Sequence, residues 1–338
     1  MKSEPISKPS QVKTTAPVAV HLQTIGPEEA GQRLDNYLLR WAKGVPKSHV
    51  YRIIRSGEVR VNKKRAEPTT RLVEGDVVRV PPVRIAEPAQ MAAVNTAQTK
   101  SRARGYSDKM PILFEDEALL IVDKPAGLAV HGGSGIALGV IETLRITRPE
   151  LKFLELVHRL DRDTSGLILV ADKRSILRHL HEQLRDGKMH KVYVALLAGN
   201  LKGANHKVTA PLDKTNLASG ERVVRVSRDG KAAETHFKVI ERFENCTLVE
   251  AKPLTGRTHQ IRVHAQFLGH PILGDDKYCP NEKNKEAKDK YGLNRLFLHA
   301  RDLTFKLPNE EAPVKLHCPI APELNQVLET LRKMNVRV

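Results

Sequence analysis

The apolar residues in the first part of the chain follow a helical period and then an alternating one. Apolar positions recur at helical spacing within 34–41, and again between Ser48, which we interpret as an N-cap, and the terminating Gly57. Short alternating runs at 59–61 and 77–80 predict strands. The pattern therefore predicts a small module in which two helices precede a hairpin.

The rest of the chain is dominated by short apolar runs of the kind that form buried strands. The predicted strands are 119–122, 153–157, 167–171, 190–197, 236–241, 246–251 and 302–306, and the predicted helices are 174–185, 258–268 and 323–334. We assign Thr258 as the N-cap of the second of these helices and expect the charged stretch 281–290 to be a solvated insertion. Strands with interspersed helices and short connections predict an α+β fold with a mixed, mainly antiparallel sheet.

Composition divides the chain into four parts. Residues 1–20 are rich in Lys, Pro, Ser and Thr and are expected to be a disordered leader. The helix-and-hairpin module occupies 21–83, residues 84–110 lose all periodicity and are expected to be an interdomain linker, and the second domain takes 111–338. Two folded domains are therefore expected.

An excess of positive charge makes the chain a candidate nucleic-acid binder. Lys and Arg number 56 against 39 acidic residues, a formal net charge of +17, and residues 31–82 alone hold 12 basic and 5 acidic side chains. The basic side chains that cluster on one helix face and at the hairpin tip are Lys47, Arg52, Arg55, Lys63, Lys64 and Arg65. Such a cluster could follow phosphates. Net positive charge is informative about what a protein associates with and not about its fold. The alternative to a nucleic-acid binder is therefore a soluble basic protein without a nucleic-acid partner.

Several classes of protein are excluded by what the chain lacks. It has no run of about 18 apolar residues, which a membrane span requires, and no Gly-rich phosphate-binding motif. His259 and His264 lack the spacing of a metal-binding helix, so no metal site is expected. Three cysteines in no paired pattern indicate free thiols in the reducing cytoplasm. We expect a cytoplasmic, monomeric protein that needs no cofactor and does not enter a membrane.

One loop carries more ionisable groups than a turn requires. Residues 158–166, HRLDRDTSG, join two apolar runs. Asp161 and Asp163 are two positions apart and could face one side as a carboxylate pair suited to acid/base hydrolysis. Alternatively, Arg159 and Arg162 keep one aspartate anionic as a nucleophile, or the arginines and aspartates pair only to hold a tight loop. Spacing alone leaves these three interpretations open.

Three segments of the first module carry a resemblance to a known domain. They are GQRLD at 31–35, IIRSGEVRVN at 53–62 and the pair Gly75-Asp76. These residues resemble the S4 RNA-binding domain, and the resemblance implies that the basic cluster contacts RNA. A small basic helix-and-hairpin domain without an RNA role is the alternative.

Four blocks of the second domain follow one another in a characteristic order. They are DKPAG at 123–127, HRLDRDTSGL at 158–167, HKVY at 190–193 and TGRTHQIRVH at 255–264. Together they resemble the motifs of the RluA-type pseudouridine synthases, which isomerise uridine to pseudouridine in RNA without a cofactor. Two further segments, 130–135 and 219–227, together with the S4 resemblance, favour the members that modify 23S ribosomal RNA of the large subunit. That RNA is the expected partner.

The resemblance implies roles for three residues. Asp161 is expected to be the nucleophile that drives cleavage of the glycosidic bond, Arg262 to form an ion pair that orients Asp161, and Tyr193 to act as a general base. Core packing is the alternative for Tyr193, and its place on the strand face opposite the neighbouring valines argues against it. Asp163 is then left with a structural role in the loop.

The expected contacts with RNA follow from the need to extrude a stacked base. Arg159, beside the nucleophile, is expected to fill the vacated space. Further candidates for phosphate or base contacts are Lys124, His158, Arg257, His259 and His264. The rival hypothesis is an RNA-binding assembly factor built on an inactive catalytic fold, against which the joint presence of Asp161, Tyr193 and Arg262 argues.

Overall fold

The structure, a computed structural model, describes residues 20–27, 29–42, 45, 47–83, 97–132, 138–216, 222–308 and 310–335. These residues form two compact units, one within 1–96 and one within 97–338. Four stretches that entered the sequence analysis lie outside the described residues, namely 1–19, 84–96, 133–135 and 219–221.

The first unit contains two helices beside a four-stranded antiparallel sheet. Its elements are β1 (His21–Thr24), α1 (Leu34–Trp41), α2 (Lys47–Arg55), β2 (Arg60–Val61), β3 (Lys64–Arg65) and β4 (Val77–Val80). The strand order is β1-β4-β2-β3, so the first strand pairs with the last. Leu38 and Ile54 of the two helices are buried in one core with Val78 of the sheet, as the helical spacing predicts. Ser48 is not an N-cap, because α2 already includes Lys47.

A tight turn joins β2 to β3. Asn62 and Lys63 have φ angles of 50° and 67°, the left-handed backbone of a two-residue hairpin loop. The Asn62 side chain donates to Asp76 Oδ1 at 2.7 Å and accepts the N–H of Val77 at 2.8 Å. The turn is therefore tied to the start of β4, and Lys63 is exposed at its tip.

The second unit is built around one large sheet. Its strands are β5 (Ile112–Glu115), β6 (Leu119–Lys124), β7 (Glu155–Leu156), β8 (Ser165–Ala171), β9 (His190–Ala198), β10 (Asn205–Thr209), β11 (Leu212–Asn216), β12 (Arg222–Val226), β13 (Glu234–Arg242), β14 (Cys246–Pro253), β15 (Leu298–Phe305) and β16 (Val314–His317). Its helices are α3 (Ala97–Ser107), α4 (Val140–Thr147), α5 (Arg174–Arg185), α6 (Gln260–Phe267), α7 (Asn281–Tyr291) and α8 (Pro322–Asn335).

The sheet of the second unit is mixed and mainly antiparallel. Its strand order is β10-β13-β14-β9-β15-β8-β6-β5, with β7 added to β8 and β16 to β15, while β11 and β12 form a separate hairpin. Only the pair β15 and β8 is parallel among the described strands. Every residue of β8 is buried, with Ile168 and Leu169 facing separate apolar clusters on the two sides of the sheet. The predicted α+β fold with its mixed sheet is confirmed.

Gly166 marks the closest approach of two central strands. Its φ is 106°, and a Cβ built there would collide with the backbone carbonyl of Ala300 on β15. Only glycine fits this position, which sets how the loop before β8 enters the sheet.

Three segments differ from the sequence predictions. Residues 97–107, placed in the predicted linker, form α3, whose small Ala103 is buried while the helix has no apolar stripe to reveal it. The predicted insertion at 281–290 is the helix α7, which buries only Ala287 and Tyr291. Thr258 is not the N-cap of α6. The helix starts at Gln260, and the N-cap is His259, whose backbone is in the left-handed conformation.

Candidate active site

A cleft of about 360 Å³ opens in the second unit, where the loop before β8 meets β9, the end of β14 and the start of α6. The polar and charged side chains that line it include His158, Arg159, Asp161, Thr164, Lys191, Tyr193, Arg257, His259 and Arg262. Most of the site residues predicted for this unit therefore meet in one place. Asp161 and Arg262 are 101 positions apart in the sequence.

The loop that carries Asp161 is anchored by a buried lysine. Lys124 is fully buried, and its Nζ donates to the carbonyl oxygens of Pro125 at 2.8 Å, Leu128 at 2.7 Å and Arg162 at 2.8 Å. Three carbonyls satisfy the three N–H groups of an ammonium, although burial lowers the pKa of Lys124 to about 7. The prediction that Lys124 contacts RNA is wrong. Lys124 instead holds the backbone next to Asp161.

A second anchor lies at the other end of the loop. The hydroxyl of Ser165 accepts from Arg295 Nη2 at 2.9 Å and donates to His299 Nδ1 at 2.9 Å. Arg295 also pairs with Glu323 at 3.0 Å. Burial lowers the pKa of His299 to about 4, so its ring is neutral and Nδ1 can accept. Nothing in the sequence pattern indicated this chain of contacts.

Asp161 is the carboxylate that faces the cleft. Its side chain is 24% exposed, and its Oδ2 lies 3.5 Å from Arg262 Nη1 and 3.9 Å from His259 Nε2. The Arg262 side chain is only 4% exposed. The carboxylate is therefore open to the cleft on one side and faces a buried cation on the other.

Asp275 is the closer partner of Arg262. Its carboxylate accepts Arg262 Nε and Nη2, each at 2.7 Å, in a bidentate pair that is fully buried on the aspartate side. These bonds raise the pKa of Arg262 above its ordinary value, although burial alone would lower it. Arg262 therefore remains a cation whose position is set by Asp275, and Nη1 is left for Asp161. Asp275 was not among the predicted site residues, and its signal in the sequence was the charged pair Asp275-Asp276 directly after Gly274.

His259 connects the cleft to Tyr278. His259 is held in a left-handed backbone conformation, and its Nδ1 lies 2.7 Å from the Tyr278 hydroxyl. That hydroxyl accepts the N–H of Val224 at 3.1 Å, so we assign its own proton to the bond with Nδ1. Burial lowers the pKa of His259, which makes the ring neutral with its N–H on Nε2, toward Asp161. The Tyr278 ring also stacks against the guanidinium of Arg262 at 5.0 Å.

Tyr193 lies on β9 at the cleft with 8% of its surface exposed. Burial, and then the negative charge of Asp161, raises the pKa of Tyr193 well above its usual value near 10. The phenol is therefore protonated at neutral pH. A free phenolate is not available as a base at this position.

Two predicted histidine contacts have different surroundings. His158 lines the cleft and its Nε2 accepts the N–H of Leu169 at 3.3 Å, while burial lowers its pKa to about 3. His264 is fully buried away from the cleft, where its nitrogens contact Thr235 Oγ1 at 2.9 Å and the carbonyl of Ala210 at 3.0 Å. The prediction that His264 contacts RNA is wrong, because both of its nitrogens are used inside the fold.

Three other charged side chains that were considered for the site have different surroundings. Asp163 accepts from the side chain of its neighbour Arg162 at 3.1 Å and does not line the cleft. Arg159 is exposed at the cleft, and Arg257 donates its Nε to the carbonyl of Ala232 at 3.0 Å. Asp161 and Asp163 therefore do not form a carboxylate pair in the cleft.

The first unit gathers the predicted RNA-binding side chains on its surface. All six are exposed: Lys47, Arg52, Arg55, Lys63, Lys64 and Arg65. Arg65 donates to the backbone carbonyl of Arg55, which joins the hairpin to the end of α2. Arg52 lies 3.9 Å from Glu58, a contact too long and exposed to neutralise it. The helix and hairpin cations thus belong to one surface.

The described residues offer no basis for a metal centre or a membrane span. No group of three or more His, Cys, Asp or Glu side chains there could hold a metal ion. None of the helices in the described ranges has the length and apolar character needed to cross a membrane.

Comparison with known proteins divides the chain in the same way. A sequence model described as RNA pseudouridylate synthase matches residues 118–267, and one described as S4 domain matches residues 32–78. Among solved structures, human RNA pseudouridylate synthase domain containing 4 superposes with a TM-score of 0.57 at 30% identity, covering 70% of this chain and 97% of that one.

Two bacterial relatives match over nearly the full length. The ribosomal large subunit pseudouridine synthase C of Yersinia pestis is 54% identical over 322 residues, 95% of this chain and 98% of the relative. The protein of the same name from Pasteurella multocida is 53% identical over 315 residues, 93% of this chain and 95% of the relative. With this identity along both units, the chain belongs to the family of RNA pseudouridine synthases, which isomerise uridine to pseudouridine in RNA.

Proposed function

We propose that this protein converts uridines of large-subunit ribosomal RNA to pseudouridine, with Asp161 as the nucleophile. The names of the two bacterial relatives support this substrate. The observation that carries the mechanism is the accessible carboxylate of Asp161, placed 3.5 Å from a buried arginine at the base of the cleft. The six exposed cations of the S4 domain supply a surface for the RNA backbone.

Arg262 stabilises the charge of Asp161 without blocking it. Because Asp275 takes the two short bonds of the guanidinium, the 3.5 Å contact with Asp161 is mainly electrostatic. His259 adds a neutral N–H on the same side at 3.9 Å. Asp161 is therefore oriented by a cation, as suits a nucleophilic carboxylate, and its outer face remains open to substrate.

The reaction is an isomerisation whose atoms balance within the substrate. The bond from the ribose C1′ to uracil N1 breaks, the base rotates, a bond from C1′ to C5 forms, and the C5 proton is lost while N1 gains one. Asp161 begins and ends the cycle as a free carboxylate. No oxidant or reductant is consumed, so the chemistry itself requires no redox cofactor.

Tyr193 is proposed to move the C5 proton as a relay. Because its pKa is raised by burial and by the charge of Asp161, the phenol must pass on its own proton as it receives another. When Asp161 forms a bond with the substrate, its carboxylate loses its negative charge. One of the two causes that raise the pKa of Tyr193 is then absent, so the proton transfer through Tyr193 becomes easier. Core packing alone does not account for a tyrosine that lines the cleft beside the carboxylate.

The target base must leave its stack before it can reach Asp161. Arg159 is exposed at the cleft, and its side chain makes no hydrogen bond or ion pair with the described residues, so it is available to fill the vacated space. We propose that the protein acts as a monomer, because the mechanism assigns no task to a second subunit. Free, buried cysteines support a cytoplasmic location.

The test is to map pseudouridine across ribosomal RNA in cells with and without this gene, complemented by the wild type, Asp161→Asn or Asp163→Asn. We expect specific large-subunit sites to be lost on deletion, restored by the wild type and by Asp163→Asn, and not restored by Asp161→Asn. Purified Asp161→Asn should keep its RNA affinity within a few-fold. Restoration of the modification by Asp161→Asn would contradict the nucleophile assignment. A growth defect corrected equally by Asp161→Asn and the wild type would favour the assembly-factor hypothesis.

A further inference from the structure

Lys191 is a cation in the cleft to which the mechanism assigns no task. It lies on β9 two residues before Tyr193, so both side chains point to the same face of the sheet. Lys191 is half-buried and lines the cleft, whereas Tyr193 is almost fully buried. The strand therefore places Tyr193 deep in the cleft and Lys191 nearer its mouth.

Other buried cations of this unit have partners. Lys124 has three carbonyl oxygens, Arg262 has Asp275 and Arg295 has Glu323. The Lys191 ammonium makes no hydrogen bond or ion pair with any side chain or carbonyl in the part of the chain that the structure describes. Withdrawal of an ammonium from water is costly without a partner, and burial accordingly lowers the pKa of Lys191. None of the described residues supplies that partner, so the position is open to a group that enters the cleft from outside.

The surroundings of Lys191 favour an anion. Gly256 faces it without a side chain, and the position of a Cβ there would lie 3.9 Å from Nζ, which leaves the space open. The neighbouring His158 is neutral, because burial and then the charge of Lys191 lower its pKa to about 3. Arg159 and Arg257 line the same cleft, and neither pairs with a carboxylate among the described residues. Three cations without acidic partners thus surround one opening.

We propose that the Lys191 ammonium binds a phosphate that flanks the extruded uridine. The inference rests on the proposed function, because an RNA substrate brings its own phosphates into the cleft with the base. With the uracil between Asp161 and Tyr193, the ribose and its phosphates extend toward the mouth where Lys191 lies. Lys191 would then anchor the nucleotide after it has left the stack.

The first experiment measures binding and turnover on a short RNA whose uridine the wild type converts. Lys191→Met keeps the aliphatic stem and removes the charge, and Lys191→Arg keeps the charge. Lys252→Met is the matched control, since Lys252 is also half-buried and follows Ala251, the strand partner of Tyr193, so it points to the other face of the sheet. We expect Lys191→Met to raise KM about ten-fold, Lys191→Arg to restore most of the loss and Lys252→Met to match the wild type.

The salt dependence of binding separates a phosphate contact from a structural role. Loss of one phosphate contact on a single-stranded segment reduces the slope of log affinity against log salt by about 0.7. We expect this reduction for Lys191→Met and no change for Lys252→Met. Thermal unfolding of each variant establishes that the fold is retained.

The decisive experiment replaces single phosphates next to the target uridine with neutral methylphosphonates. At one linkage, the wild type should lose about as much affinity as Lys191→Met loses on unmodified RNA, and Lys191→Met should lose nothing more there. Additive losses at every linkage would overturn the proposal and would assign Lys191 to the base or ribose. If Lys191→Met does not fold, the methylphosphonate substitutions are tested with the wild type and with Lys191→Arg. The proposal is then overturned if no single substitution lowers the affinity for RNA. Failure of the wild type to convert any RNA would instead contradict the proposed function.

Discussion

The carboxylate of Asp275 binds the guanidinium of Arg262 through two bonds of 2.7 Å, whereas the contact between Arg262 and Asp161 is 3.5 Å. The residue that orients the proposed nucleophile is therefore itself held by a second, fully buried aspartate. Arg262 thus has two short structural bonds to Asp275 and one longer electrostatic contact with Asp161. This division keeps the cation in place while leaving Asp161 free to react.

Because Asp275 holds Arg262 and Arg262 in turn contacts Asp161, we predict that Asp275 is a positioning residue. In Asp275→Asn the buried charge is lost, so Arg262 turns toward Asp161 and binds it more tightly. We expect kcat to fall by at least about ten-fold with little change in KM, and the free energy of unfolding to fall by up to about 3 kcal/mol. Asp276→Asn is the matched control, because Asp276 is 69% exposed and lies 3.6 Å from Arg262. Equal kcat values for the two variants would show that Asp275 does not position Arg262 for catalysis.

The raised pKa of Tyr193 predicts how its removal and the pH affect turnover. Tyr193→Phe should reduce kcat by at least about a hundred-fold, because the relay loses its proton, while the affinity for RNA is retained. In the wild type, kcat should show no fall assignable to Tyr193 between pH 7 and about pH 9, because the phenol stays protonated throughout this range. Single-turnover rates across this pH range test both points. A Tyr193→Phe variant as fast as the wild type would show that Tyr193 contributes only to core packing.

The contact between Gly166 and Ala300 predicts an unusually large effect for a small substitution. In Gly166→Ala the new Cβ collides with the Ala300 carbonyl, so β8 and the loop before it must shift. We expect a loss of more than about 3 kcal/mol in the free energy of unfolding, together with a loss of turnover. Gly187→Ala is the control, since Gly187 has a φ of 69° but no atom within 4 Å of the Cβ position. It should cost only about 1 kcal/mol, measured by urea unfolding.

Burial of His299 predicts a pH dependence of stability. Its pKa is lowered to about 4 in the fold, against about 6.5 when unfolded, so the unfolded chain takes up the proton first as the pH falls. The sign of this linkage is a loss of stability below about pH 6.5, with no contribution above it. Between pH 7 and pH 5 the loss should be about 2 kcal/mol.

The measurement for His299 is urea unfolding at pH 7 and pH 5. His299→Gln should show a smaller difference between the two pH values than the wild type, whatever its absolute stability. His181→Gln, which replaces a half-exposed histidine of α5, is the control and should keep the wild-type difference. An unchanged pH difference in His299→Gln would show that this histidine does not take up a proton on unfolding.

The sequence by itself determined the elements and the chemistry of the central loop. Apolar periodicity predicts helices and strands because each element buries one face, and α5 matches its predicted bounds of 174–185 for that reason. The order of motifs also identified the family and placed Asp161 between two strands. Where a segment buries few residues, as α3 and α7 do, the pattern was too weak and the helices were missed.

Only the tertiary structure decided which charged residues meet. The sequence alone could not reveal that Lys124 donates to the carbonyl of Arg162, or that His264 contacts Thr235 Oγ1 and the carbonyl of Ala210, because burial depends on distant parts of the chain. For the same reason Asp275 was recognised only when its two bonds to Arg262 were seen. A sequence motif specifies which side chains are available, and the packing of the sheet specifies which of them face the cleft and which hold the others in place.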